Sequence, residues 1–133
     1  MNVLPDTSFL VDLLRGQSAA VDLWEELAAE GAVMHMSPVV LFELRFGFLW
    51  RADRLQEAQF DALAATMPTA DFTDHAATKA AELQVTMSRA GKPLAVADAL
   101  IAGTAAAGRF VLVTGDQGLV AVQRAGVAVR YHK

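Results

Sequence analysis

Cysteine is absent from this chain, which removes disulfide staples and thiolate metal sites together. Such a chain suits a reducing compartment, and a cytoplasmic location is the expectation. Histidine is scarce: His35, His75 and His132 share no ligand spacing, so a zinc site is not expected. The opening residues "MNVLPDTSFL" lack a basic region and meet Asp6 almost at once, against the pattern of a signal peptide. The longest apolar stretch, Leu94 to Val113, is broken by Asp98 and Arg109, so no membrane span is read. No glycine-rich loop follows the first apolar run, which argues against a dinucleotide-binding domain. Positive charge is in deficit as well. A net charge of −4 disfavours a nucleic-acid binder that relies on a broadly basic surface.

What the chain does have is apolar mass. Of its 133 residues 54% are hydrophobic, enough for the core of a single domain spanning 1–133 and too few residues for a second. Short apolar runs alternate with helical patterns. Strands are expected over Asn2 to Pro5, Val33 to Met36, Ala70 to Phe72, Phe110 to Val113 and Val127 to Tyr131. Between them lie helices Thr7 to Leu14, Ser18 to Glu30, a helix capped by Ser37-Pro38 and running to about Trp50, and Arg54 to Thr66. Further helices follow: one capped by Thr73 and running to Ala90, one carrying Asp98 and closed by Gly108, and a short one from Gln117. Strands separated by helices imply right-handed crossovers and a mainly parallel sheet with helices on both faces, a three-layer α/β/α domain. Pro5 fits such a sheet best as the last residue of its strand, where a missing ladder donor matters least.

Four acids stand out on this scaffold. In "PLAVADALIAG" the neighbours of Asp98 one helical turn away are Leu94, Ala95, Ile101 and Ala102, all apolar. In "SPVVLFELRFG" Glu43 likewise has Val39, Val40, Phe46 and Gly47 around it. An ionised carboxylate on a buried face costs several kcal/mol unless it has a partner, a raised pKa or a cation. Gly47 and Ala102 are small enough to let neighbouring backbones come close at these points. Asp6 and Asp116 each lie just beyond the carboxyl end of an expected strand, where ligand sites form in open parallel sheets. Each acid also has a plainer reading. Asp6 could cap the helix that begins at Thr7, Asp116 could serve a turn, and Glu43 or Asp98 could pair with Arg45 or Arg109. Taken together the four favour a site. Crowded carboxylates repel one another unless a divalent cation neutralises them, and an all-oxygen donor set suits Mg²⁺ or Mn²⁺. Magnesium that keeps water and substrate phosphate in its shell performs phosphodiester hydrolysis, so metal-assisted phosphoryl chemistry is the expected reaction class.

At these residues the sequence resembles a known family. "PDTSFLVDLLRG", "SPVVLFELRFG", "ADALIAGTAAAG" and "LVTGD" are similar, in order and spacing, to the four acidic motifs of PIN domains, and within them of the VapC ribonuclease toxins of type II toxin–antitoxin pairs. The resemblance covers essentially the whole chain. It implies a PIN-like fold, Asp6, Glu43, Asp98 and Asp116 as catalytic and Mg²⁺- or Mn²⁺-binding acids, and Thr114 as a hydroxyl helper. It also implies cleavage of RNA to a 3′-hydroxyl and a 5′-phosphate, a homodimer, and a VapB-like antitoxin whose C-terminal segment occludes the site. The chain departs from the pattern at Pro5, where an aliphatic residue is commoner, and after Asp116, where an Asp-Phe pair is often found.

Local arginines can track phosphates even on an acidic chain. Arg15, Arg45, Arg51, Arg54, Arg89 and Lys92 are candidates, with Arg15 and Arg45 the foremost and the rest read as solvated surface charges, whereas Asp12 is expected to face solvent. Phe46, Phe48, Leu49 and Trp50 make the Glu43 helix apolar almost all round, so part of it is expected to face a partner or the core. Two other classes compete with the nuclease reading. A receiver-type signalling domain would use Asp71 as its acceptor, but no lysine follows a late strand except Lys133. A catalytically inactive α/β binding module would leave the cost of Glu43 and Asp98 unexplained.

Overall fold

A computed structural model describes residues 1–133. The chain runs β1 (Asn2–Pro5), α1 (Thr7–Leu14), α2 (Ser18–Ala29), β2 (Val33–Met34), α3 (Pro38–Arg51), α4 (Arg54–Ala64), α5 (Asp74–Arg89) and α6 (Val96–Gly108). It closes with β3 (Val111–Thr114), α7 (Gln117–Val120), a 3₁₀ turn (Ala121–Ala125) and β4 (Val129–Tyr131). The four strands form one sheet in the order β2-β1-β3-β4, and every pairing is parallel. Val3 and Leu4 are both buried, as are Leu112 and Val113. Successive strand residues point to opposite faces, so burial of both members of each pair means that helices cover the sheet on both sides. The expected α/β/α architecture is therefore present.

Caps fall where the sequence puts them. Ser37 accepts from the Val39 N–H with Pro38 in the first turn of α3, and Thr73 accepts from Ala76 at the start of α5. Pro5 is the last residue of β1, and the next residue, Asp6, resumes the ladder by donating its N–H to the Val113 carbonyl (2.9 Å). Two expectations need correction. Ala70 to Phe72 is not a strand, because Pro68 and the Thr73 cap leave room only for a single parallel bridge, Met36 with Thr69. The final strand begins at Val129 rather than Val127, since the Val127 N–H turns back to the Val122 carbonyl. Gly108 closes α6 as expected; the left-handed residue is the next one, Arg109, at φ 56°, and glycine stands at 108 for space, because a β-carbon there would lie 2.2 Å from the Phe110 ring.

The core is one cluster of 25 buried residues, centred on Leu4, Phe9, Leu10, Phe60, Ile101 and Leu112. Among helix pairs, α5 and α6 make the most extensive contact. Gly103 is the reason: a β-carbon at that position would sit 2.6 Å from the Ala76 carbonyl oxygen and from Ala80. Backbones of the two helices meet there. At Gly47, by contrast, a β-carbon would meet only the Arg51 side chain, so the close approach expected beside Glu43 does not occur.

Candidate active site

The order of strands decides where chemistry gathers. From β1 the chain crosses outward to β2 on one side, then returns to place β3 and β4 on the other. The gap between the carboxyl ends of β1 and β3 is thus the switch point at which open parallel sheets bind ligands. Asp6 follows β1 directly and Asp116 stands two residues beyond β3. Asp98, in the first turn of α6, and Glu43, in α3, complete the group. Their mutual influence is felt at Asp98. This half-buried carboxyl is pushed up to about 6, first by loss of solvent and then by the negative charges of Asp116, Asp6 and Glu43. Of the four, Asp6 is the most buried, at 3% exposure, while Asp116 is open to solvent.

Asp6 has two tasks. It caps α1, accepting the Phe9 N–H on Oδ1 (2.8 Å), and it sits at the centre of a hydroxyl network. The Ser8 hydroxyl donates to its Oδ1 (2.8 Å) and the Thr114 hydroxyl to its Oδ2 (2.5 Å). Each hydroxyl in turn accepts a backbone amide, Ser8 from Gly115 (3.0 Å) and Thr114 from Asp116 (2.9 Å). Burial raises the Asp6 pKa, and these donors to the ionised form pull it partway back. Next to Asp6, the Thr7 hydroxyl donates to Glu43 Oε1 (2.6 Å) and so ties α3 to the start of α1.

Thr7 and Ser8 were not singled out from the sequence. The signal was present as two hydroxyl residues directly after the acid in "PDTSFL". In a first helical turn whose cap is a site acid, such side chains stay beside the cap. The arginines fare differently. Arg45 is engaged by Asp61 (2.8 Å) and Glu57 (3.5 Å) and leans on the Phe60 ring, so its guanidinium is committed to joining α3 and α4. Arg15 caps the end of α1 and is exposed, with no ion pair. Asp12 does not face solvent as expected but meets His132 and Lys133. An open cleft of about 320 Å³ beside Asp98 is bordered by Lys92, Leu94, Gln117 and Gly118.

No three acidic or imidazole side chains stand close enough in this structure to hold a metal by themselves. The donor set nonetheless fits a hard cation. It is all oxygen, it is uncompensated by any arginine or lysine ion pair, and its members raise one another's cost of ionisation. Mg²⁺ is held through few carboxylates and completes its shell with water and phosphate.

Sheet order, switch-point acids and hydroxyl network define an α/β protein with a polycarboxylate site. The PIN domain family matches residues 3–125, and the chain belongs to that family. Among solved structures, VapBC2 from Rickettsia felis bound to a promoter DNA fragment matches with a TM-score of 0.86 at 20% identity, covering 100% of both chains. FitAcB from Neisseria gonorrhoeae matches at 0.72 and 26% identity, over 97% of this chain and 96% of that one. VapBC-5 from Mycobacterium tuberculosis, a member of the VapBC family of toxin–antitoxin systems, matches at 0.70 and 25% identity over 99% and 98%. No curated protein matches the chain in sequence. The four-motif resemblance to PIN-domain VapC proteins is thus borne out.

Proposed function

We propose that residues 1–133 act as one PIN domain of the VapC type, a toxin that hydrolyses phosphodiester bonds of RNA with Mg²⁺ or Mn²⁺ and is neutralised by a VapB-like antitoxin. The PIN family is one of nucleases that generally use divalent ions. What supports the reading is that four carboxylates from four separate elements lie near enough the switch point to bear on one another, Asp116, Asp6 and Glu43 each adding to the raised pKa of Asp98. A bound ion would supply an activated water and charge neutralisation at the leaving oxygen. Asp6, Glu43, Asp98 and Asp116 would hold it. Ser8 and Thr114 aim Asp6 and favour its ionised form against the cost of burial, Thr7 holds Glu43, and the solvent-open side of Asp116 leaves a path for a phosphate. Lys92, on the border of the cleft beside Asp98, offers a cation for the neighbouring phosphate, as does the unpaired Arg15.

The test is cleavage of a mixed single-stranded RNA pool in Mg²⁺, Mn²⁺ or EDTA, with Asp6→Ala alongside. Cutting in either ion, absent in EDTA and in the variant, is the expected result. Cutting that persists in EDTA would remove the metal reading, and no cutting in any condition would remove the nuclease reading.

The partner half of the proposal rests on α3. Its inner face buries Val40, Leu44 and Phe48, while Phe42, Phe46 and Trp50 stand 67%, 58% and 81% exposed and stack in a ladder with 6.2 Å between successive rings. Monomeric proteins rarely leave such a ridge uncovered. In a homodimer bound to antitoxin this ridge is the surface to be covered. Phe46→Asp is expected to weaken antitoxin or dimer association at least tenfold while leaving the melting temperature within a few degrees, as read by calorimetric titration and sedimentation. Unchanged association on both counts would exclude the ridge.

A further inference from the structure

His132 has no part in the chemistry outlined above, yet its side chain is wholly buried against the site's scaffold. Nε2 lies 2.8 Å from Asp12 Oδ2, and since an ionised carboxylate can only accept, the ring carries its proton on Nε2. Nδ1 is buried without a partner, a state tolerable for a lone pair and costly for an N–H, which agrees with that tautomer. Two contacts give the ring its interest. It makes a T-shaped contact with Phe9, with centroids 5.0 Å apart, and its Cε1 lies where a β-carbon on Gly115 would come within 2.3 Å. Phe9 and Gly115 carry two of the three amides that serve the Asp6 network. One donates to Asp6 itself and the other to Ser8 Oγ. The His132 backbone N–H also bonds the Thr114 carbonyl (3.1 Å), next to the hydroxyl that binds Asp6.

We propose that His132, anchored by Asp12, is a positioning residue that clamps the Thr114–Gly115–Asp116 turn against the start of α1 and thereby sets the distance between Asp6 and Asp116. The absent side chain at 115 is then a requirement of the clamp: glycine lets the imidazole rest directly on the backbone. This inference deepens the nuclease reading and rests on it for the kinetic consequence. The contact itself does not depend on that reading.

The experiment compares wild type, His132→Ala, His132→Gln, Gly115→Ala and the His132→Ala/Gly115→Ala pair. Two readouts are taken: amide hydrogen exchange at Gly115 and Asp116 relative to the α5 core, and kcat and KM for RNA cleavage in Mg²⁺. In His132→Ala exchange should quicken at 115–116 beyond any change in α5, and kcat should fall about tenfold with KM within twofold, as for the loss of a group that orients ligands. His132→Gln, whose amide can still donate to Asp12, should recover most of both. Gly115→Ala should be impaired alone and improved by His132→Ala, because the second change makes room for the first. The proposal is overturned if His132→Ala lowers the melting temperature while exchange at 115–116 moves only in step with α5 and kcat holds. Should the wild type cut no RNA, the nuclease reading falls by itself, and the exchange data with the Gly115 cycle still decide whether His132 holds the turn.

Discussion

In metal-free protein, Asp98→Asn should melt higher than wild type at pH 7.5 while losing cleavage by at least about a hundred-fold, more than the loss of a group that merely orients a ligand. Activity and stability would move in opposite directions because the same carboxylate is a cost to the empty fold and, on the proposed reading, a donor to the ion. The folded pKa of Asp98, about 6, stands above the ordinary value of 3.8. Protonation is therefore favoured by folding, so the stabilising contribution is fully present below about pH 4 and is lost as pH rises through 6. At pH 7.5 the ionised group opposes folding. Half of it is solvated, which reduces the effect to about 1 kcal/mol, or a shift of roughly 3 to 5 °C. Buried Asp6, also raised, pulls the same way. Wild type should thus gain stability between pH 7.5 and 5.5 with a steeper slope than the variant, and Mg²⁺ should cancel most of the difference. Thermal melts across that range, with and without Mg²⁺, read all of this. Parallel slopes and an equal Mg²⁺ response in both proteins would show that Asp98 is neither strained nor a ligand.

The largest loss of stability is expected far from the acids, at Gly103. Replacement by alanine gains about 1 kcal/mol of helix propensity. It also drives a β-carbon to within 2.6 Å of the Ala76 carbonyl and of Ala80, atoms of a helix backbone that cannot swing aside. Overpacking of this kind costs about 1–3 kcal/mol, and the branched side chain of Gly103→Val should exceed that range. A fall in melting temperature of about 10 °C or more is expected for the valine variant. Because α6 carries Asp98, forcing α5 and α6 apart should also lower cleavage in the fraction that remains folded. A valine variant that melts with wild type would mean that the two helices do not meet at this residue in solution.

Much of this was legible beforehand because it is local. The caps at Ser37 and Thr73 and the carboxylates on apolar helical stripes all show within one or two turns of chain. Asp6 and Asp116 could be placed at strand ends because apolar runs mark strands and the parallel topology does the rest. What stayed hidden depends on partners distant in sequence. Thr114 finds Asp6 across 108 residues and His132 finds Asp12 across 120, and no periodicity encodes either meeting. Arg45 read as a phosphate contact because Asp61 and Glu57 stand on another helix, brought near only by the packing of α3 on α4. Gly103 and Gly115 were invisible for a related reason. A missing side chain gains meaning only from what occupies its place.

The pairing of β1 with β3 has a consequence for the order in which the molecule is made. Val3 aligns with Met34 on one side and Val111 on the other, so although β2 is made early, the β3 side of the first strand stays open until more than four-fifths of these residues have been made. Asp6 and Glu43 emerge from the ribosome early, but the strand and turn that bring Asp116 and Thr114 beside Asp6 emerge late. Domains generally fold as units during synthesis, and pairings this distant in sequence close slowly. An incomplete nascent chain therefore carries three of the four acids without the arrangement proposed for them, and translation itself keeps the centre unassembled until β3 and the turn after it are free.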